Sequence, residues 1–476
     1  MSAADTAWLH MDRPTNLMVV NGLMRLEGPV DYELAKQAIW ERLVERFPRF
    51  RQRVSEPLFG AGLPSWEDDP DFDLDLHVHR RALPAPGDDD ALRRLAGELV
   101  AAPLDPAKPL WDMYLIEGYG SGTALIARMH HCIADGIALA HVLLSLTTGG
   151  PELDLAPPAD VGARHISAGA ALGPARDVAL MLDAAVHEGF EMLAHPAAET
   201  RAFVDGVASN ARALAKLLLT GPDTATVLKE APGVARRVTW CEPVPLEEIK
   251  AVGHAHGATV NDVVLTAMTG ALRRYLEQRN SLVDEIRAVV PFNLRPLDQP
   301  LPAELGNRFG LVELPLPIAM ADAGARLAEV HRRMQQIKDS PEGPLSYRVL
   351  GLIGRTPPPV ERRILDLMSR VETVVITNVP GPRQPVYFAG AKLTSLLAWV
   401  PTGGSIGIGV SVISYDGAVT VALQTAATII PDPDQIVAAF AQEMHDLMRL
   451  QPHSPRPKRA HSHARSRPST AIGPPG

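Results

Sequence analysis

Side chains able to do chemistry at neutral pH gather most tightly at His130-His131-Cys132-Ile133-Ala134-Asp135-Gly136. An unperturbed imidazole titrates near pH 6.5, so a histidine on a site wall can act as a general base, typically worth about a hundred- to ten-thousand-fold in rate. Consecutive residues of an extended segment point to opposite sides, so His130 and His131 are not expected to share one task. The same alternation works against a metal site, because the two rings do not converge and no third ligand is nearby in sequence. The helical two-histidine zinc spacing is also missing. An isolated histidine is most often a core residue bonded to backbone. The tight pattern with Asp135 and Gly136 argues for a site instead. Cys132 reads as a buried structural thiol rather than a nucleophile.

Three other patterns imitate chemistry and fail on context. Gly403-Gly404-Ser405-Ile406-Gly407 matches the serine-hydrolase elbow, but that elbow needs a helix after the serine, and the residues that follow alternate like a strand. Gly118-Tyr119-Gly120-Ser121-Gly122 lies between two strand-like segments and opens no helix, so it reads as a turn and not a phosphate cradle. Asp71, Asp73 and Asp75 start like a calcium loop, yet Leu76 and Ala82 stand where glycine and glutamate are required.

The elements that must position the histidines can be read from periodicity. An apolar strand over 123–129 leads into His130, and a helix follows Gly136 through Leu146, ending at Gly149-Gly150. Asp31 caps a helix with Ala35, Ile39, Leu43 and Phe47 on one face, stopped by Pro48. Alternation over 66–79 predicts one half-buried strand. The uncharged run 393–415 holds Pro401 and several glycines among β-branched residues, and predicts two strands joined by a turn rather than a membrane span. Helices are expected at about 261–277 and 433–449, and strands at about 286–291, 372–377 and 406–414.

The chain has 476 residues, 46% hydrophobic and 21% charged, enough for two or three globular domains. A net charge of −9 argues against a nucleic-acid partner. Two distant cysteines, Cys132 and Cys241, give no disulfide framework and suit a reducing cytoplasm. The first residues lack the basic start and apolar run of an export signal. The expected division is a first lobe over 1–150 and a linker with a helical bridge over 151–237. A second α/β lobe over 238–450 and a disordered basic tail over 451–476 complete it. Five basic residues and no acid make that tail either a solubilising terminus or a segment drawn to anionic lipid.

The His130-His131-x-x-x-Asp135-Gly136 segment resembles the HHxxxDG motif of the CoA-dependent acyltransferase superfamily. Further segments narrow the resemblance to the bacterial wax ester synthase/diacylglycerol acyltransferase family. They are Trp8-Leu9-x-Met11 with Pro14-Thr15-Asn16, Lys108-Pro109-Leu110-Trp111 with Ile116-Glu117-Gly118, and Asn261-Asp262-Val263-Val264-Leu265. Leu305-Gly306-Asn307, Thr377-Asn378-Val379-Pro380-Gly381-Pro382 and Ser414-Tyr415-Asp416-Gly417 follow in the family's order, so the likeness covers about residues 1–450.

The resemblance implies two chloramphenicol-acetyltransferase-like α/β lobes of mixed sheets and packed helices, with a channel between them. It makes His131 the base that takes a proton from an alcohol, which attacks an acyl-CoA thioester without an acyl-enzyme. His130 has a supporting part, and Asp135 a structural one, paired with Arg295. Gly136 would leave room for close backbone approach. Asn261 is either an oxyanion donor or a helix N-cap. The implied co-substrate is acyl-CoA, with no resident cofactor or metal. The acceptor is a fatty alcohol or diacylglycerol, met in the cytoplasm with peripheral contact to a membrane or lipid droplet. The rivals are a condensation enzyme using a carrier thioester and an amine, an acyltransferase for a polyketide or glycolipid alcohol, and a non-catalytic acyl-binding or lipid-droplet protein.

Overall fold

The computed structural model describes residues 1–57, 62–150, 221–295, 302–340, 342–356 and 358–450. The expected helical bridge, 174–219, and the basic tail, 451–476, lie outside the described residues.

The first sheet is built around one long apolar strand. β6 (Gly122–His130) is buried along almost its whole length because it lies between β1 (Val19–Leu26) and β5 (Trp111–Tyr119), antiparallel to both. β4 (Val78–Ala82) adds to β5 in parallel. The positive φ angles of Gly118 and Gly120, +73° and +53°, make the β5–β6 connection the turn that the sequence predicts. α1 (Ala3–His10) is capped by Ser2, whose hydroxyl accepts from the Asp5 amide at 3.1 Å. α2 (Tyr32–Ile39) is capped by Asp31 at 3.0 Å from the Leu34 amide, and its apolar face continues through Leu43 and Phe47 into the core. α3 (Asp89–Ala101) and α4 (Gly136–Ser145) complete the helices of this half.

Two expectations are corrected here. Residues 66–79 do not form one strand. A two-stranded ribbon, β2 (Gln52–Ser55) with β3 (Ser65–Asp68), is followed by a short 3-10 turn and then β4. The aspartates cause the break, because Asp69 and Asp73 accept from the amides of Asp71 and Asp75 at 3.2 and 3.0 Å, a local bond that competes with the ladder. The linear division into lobes is crossed as well. β12 (Tyr387–Phe388) and β13 (Ala391–Trp399) belong to the first sheet, whose order is β12-β13-β1-β6-β5-β4. β13 pairs with β1 from Asn21 opposite Trp399 to Leu26 opposite Leu393.

The second sheet runs β10-β9-β11-β14-β15-β7, with β8 also on β15. Its strands are β7 (Arg236–Trp240), β8 (Val244–Pro245), β9 (Ile286–Asn293), β10 (Phe309–Leu316), β11 (Val374–Pro380), β14 (Ile408–Tyr415) and β15 (Ala418–Ala426). The two strands within 393–415 are therefore β13 and β14, which lie in different sheets rather than in one hairpin. α5 (Leu246–His256), α6 (Val260–Gln278), α7 (Ala323–Lys338) and α10 (Asp434–Met448) flank this sheet. α6 and α10 bury Val264, Met268, Leu272, Phe440 and Met444 in its core. Between β10 and β11 run α8 (Glu342–Ile353) and α9 (Pro358–Ser369). Among the described residues, no helix is long and apolar enough to cross a membrane.

Candidate active site

A cleft of about 1300 Å³, counting the part open to solvent, lies between the two halves. The first contributes Trp8 of α1, Val20 of β1 and the His131–Ile137 segment. The second contributes Pro291 and Asn293 of β9, Phe309 and Leu311 of β10, and Val375 and Thr377 of β11. His131 lies on this wall; His130 does not. The pairing of the His131 amide with the Met18 carbonyl at 2.7 Å keeps the chain extended past β6, so the two rings diverge as the strand alternation requires. The His130 ring is buried towards Asp12, with Nε2 3.6 Å from Oδ1, and its Nδ1 accepts from the Cys132 amide at 3.1 Å. Cys132 is buried in the core.

The His131 tautomer is set by a chain of bonds that begins at the N-terminus. Asn307 Nδ2 donates to Asp5 Oδ1 at 2.8 Å and to the His131 carbonyl at 2.7 Å. Both acceptors face that end of the amide, so its oxygen is turned to His131 Nδ1, 2.9 Å away. A carboxamide oxygen can only accept, so Nδ1 carries the hydrogen and Nε2 keeps its lone pair. The Asn307 amide also donates to Asp5 Oδ1 at 2.9 Å, and the Arg49 guanidinium lies 3.5 Å from Asp5 Oδ2. Trp8 stacks on the imidazole, with ring centroids 4.2 Å apart and planes 17° apart. Burial among these groups lowers the His131 pKa to about 4, so the ring is neutral at pH 7.

Asp135 is not bonded to His131. It is the N-cap of α4, accepting from the Ala138 amide at 2.9 Å. Its other oxygen accepts from Arg295 Nε and from the Arg308 amide, both at 3.0 Å. Arg295 also donates to the Gly306 carbonyl, and the Gly306 amide donates to the Ile133 carbonyl at 3.1 Å. The segment carrying Asn307 is thus clipped to the histidine loop at several points.

Gly136 departs from its expected reason. A Cβ there would meet no protein atom within 4 Å, so the free space beside it belongs to the cleft and not to an approaching backbone. Asn261 sits in the first turn of α6 but does not cap it. Thr259 is the cap, in a reciprocal box with Asp262. Asn261 Oδ1 accepts from Asn378 Nδ2 at 3.1 Å, and Asn378 lines the cleft. Ser405 is followed by β14, and its hydroxyl donates to the Ser369 carbonyl at 2.9 Å, as a turn residue would.

Residue chemistry alone did not single out Asp5, Trp8, Asn307 or Asn378. The last three lie in segments that carry the family resemblance. Asp5 carried no signal beyond a charge in an otherwise apolar opening.

Two mixed α/β lobes with a histidine-bearing cleft between them make up a chloramphenicol-acetyltransferase-like fold. The wax ester synthase/diacylglycerol acyltransferase catalytic-domain model matches residues 1–264, and the corresponding C-terminal-domain model matches residues 305–448. Over 451 residues the chain is 31% identical to a putative diacylglycerol O-acyltransferase of Mycobacterium bovis and to a probable one of Mycobacterium tuberculosis, covering 92% of this chain and 93% of each relative. In fold it is similar to the wax ester synthase/diacylglycerol acyltransferase of Marinobacter aquaeolei, with a TM-score of 0.66, 23% identity, and 93% and 97% of the two chains covered. The first condensation domain of the CDA synthetase shares the fold at a TM-score of 0.58 and 16% identity, with 94% of each chain covered. The chain belongs to the wax ester synthase/diacylglycerol acyltransferase family, and it is an acyltransferase.

Proposed function

We propose that this enzyme moves a long-chain acyl group from acyl-CoA to a fatty alcohol or diacylglycerol, with His131 as the general base. The observation that carries the reading is His131 on the wall of a largely apolar cleft with the Asn307 oxygen at Nδ1, which leaves Nε2 as the basic nitrogen. Nε2 takes the hydroxyl proton while the alcohol oxygen bonds to the thioester carbonyl carbon. The tetrahedral intermediate collapses as the C–S bond breaks, and the imidazolium returns the proton to the departing CoA thiolate. Both substrates meet at one histidine, so no acyl-enzyme forms. Holding them in attack geometry supplies much of the rate. The Asn261 Nδ2 group, with its oxygen already bonded to Asn378, is the candidate donor to the oxyanion.

The test is CoA thiol release from a long-chain acyl-CoA with a panel of fatty alcohols, diacylglycerols and amines. Turnover with the hydroxyl acceptors, abolished in His131→Ala with the fold intact, is expected. Turnover only with amines, or an active His131→Ala protein, would overturn the reading.

A further inference from the structure

An acceptor of the class proposed above dissolves in lipid rather than water, and the following inference rests on that reading. α8 and α9 form one wall of the cleft through Leu350, Leu365 and Met368, and Val349, Ile353 and Leu365 pack the two helices together. Their opposite sides face solvent. On α9, Val360, Arg363 and Leu367 recur at three- and four-residue steps, so they share one stripe, and Arg370 continues it just past the helix. All four are exposed. On α8, Arg348 and Leu352 stand four residues apart, with Arg355 two residues beyond the end. Leu352, Val360 and Leu367 are 46%, 49% and 43% exposed, high for aliphatic side chains.

Arginine dominates the charge of this face. Arg348, Arg355, Arg362, Arg363 and Arg370 are exposed, and none makes an ion pair among the described residues. The acids of the same stretch are buried, half-buried or paired. Glu361 is buried against His10 at 2.7 Å, Asp366 is held by Arg13 at 2.8 Å, and Glu342 is half-buried. A merely solvated face in a chain of net charge −9 would mix both signs and hide its aliphatics. Aliphatic side chains interleaved with arginine fit the plane of a lipid interface.

We infer that the outward face of α8 and α9 docks on an anionic lipid surface, setting the cleft wall they form against the layer that holds the acceptor. The aliphatic residues distinguish a bilayer from the phosphates of acyl-CoA, which the arginines alone would also suit.

The test uses the full-length protein with phosphatidylcholine vesicles, with and without phosphatidylglycerol. One variant carries Arg363→Gln and Arg370→Gln, the other Leu352→Ser and Leu367→Ser. Each arginine near the surface contributes about fivefold, the equivalent of about 1 kcal/mol. The arginine variant should therefore bind anionic vesicles about 30-fold more weakly at low salt, with the deficit shrinking as salt rises. The leucine variant should bind both kinds of vesicle more weakly. Both should keep parental kcat and KM for acyl-CoA with a short, water-soluble alcohol. Vesicle binding unchanged in both variants would overturn the inference. So would an arginine variant with normal vesicle binding but a raised KM for acyl-CoA, which would assign those arginines to the CoA phosphates. If the parent itself turned over no alcohol, the proposed function would fail while vesicle binding still decided the docking face.

Discussion

Replacing Asn307 with Ala removes the one acceptor that holds the His131 hydrogen on Nδ1. It also strips one of the two donors from Asp5 Oδ1 and the donor from the His131 carbonyl, all at buried positions. A buried donor left without a partner loses about 1–3 kcal/mol. That is the preference the oxygen supplies for the working tautomer; without it the two tautomers lie close in energy and the competent fraction falls by about twofold, while an imidazole no longer held in place can cost up to about a hundredfold more. The loss should appear in kcat and leave KM nearly unchanged, because no substrate contact is removed. Asn307→Asp restores an acceptor at Nδ1 but turns its second oxygen towards Asp5 Oδ1 and the His131 carbonyl, so it should recover only part of kcat. Its carboxylate favours the imidazolium, so the acid limb of kcat/KM, expected near pH 4 in the parent from the lowered His131 pKa, should move towards neutral. The direction follows from the neutral ring being the active form: a higher pKa means activity is lost at a higher pH. Thiol-release kinetics across pH give these numbers, and nitrogen-15 NMR of labelled histidine reports which ring nitrogen carries hydrogen. Parental kcat in Asn307→Ala, or an Nδ1–H tautomer that persists without Asn307, would refute the relay.

Asp135→Ala should lower stability by about 3–5 kcal/mol by stranding Arg295, whose side chain is only 10% exposed, with the α4 cap lost as well. Asp135→Asn keeps an oxygen for the cap and should lose less, and in both variants kcat per folded molecule should stay within a few-fold of the parent; denaturant midpoints with active-site titration separate the two effects. Gly136→Val sets its Cβ in the open space of the cleft, where no protein atom lies within 4 Å. KM for long-chain acceptors should rise while that for short ones and the unfolding midpoint hold; a large loss of stability instead would mean the site is packed by protein.

What could be read from the sequence follows from the range of the forces involved. The burial of β6 and the opposed directions of His130 and His131 are consequences of one strand's periodicity, so they were legible locally. So were the Asp31 cap and the helix after Gly136. The alternation in 393–415 announced two strands but carried nothing about partners, and β13 crosses to the first sheet because its register with β1 is set by residues some 370 positions away. Asp71, Asp73 and Asp75 alternated correctly for a strand, yet their neighbourhood offered turn bonds that periodicity does not weigh.

The same limit applies to the site, and it shows how the site is assembled. Asp5 and Asn307 are 302 residues apart and meet only when α1 lies against the start of β10. Asn307 is held against His131 by its own bonds to Asp5 and the His131 carbonyl and by the pairing of Gly306 with Ile133, and Arg295 ties Asp135 to the Gly306 carbonyl beside it. The Gly306–Ile133, Arg295–Asp135 and Asn307–His131 bonds join the histidine loop to the segments flanking β9 and β10 in the other lobe. The docking that forms the cleft is therefore also the event that fixes the His131 tautomer. A chain with its lobes apart would lose the substrate channel and the oriented base together.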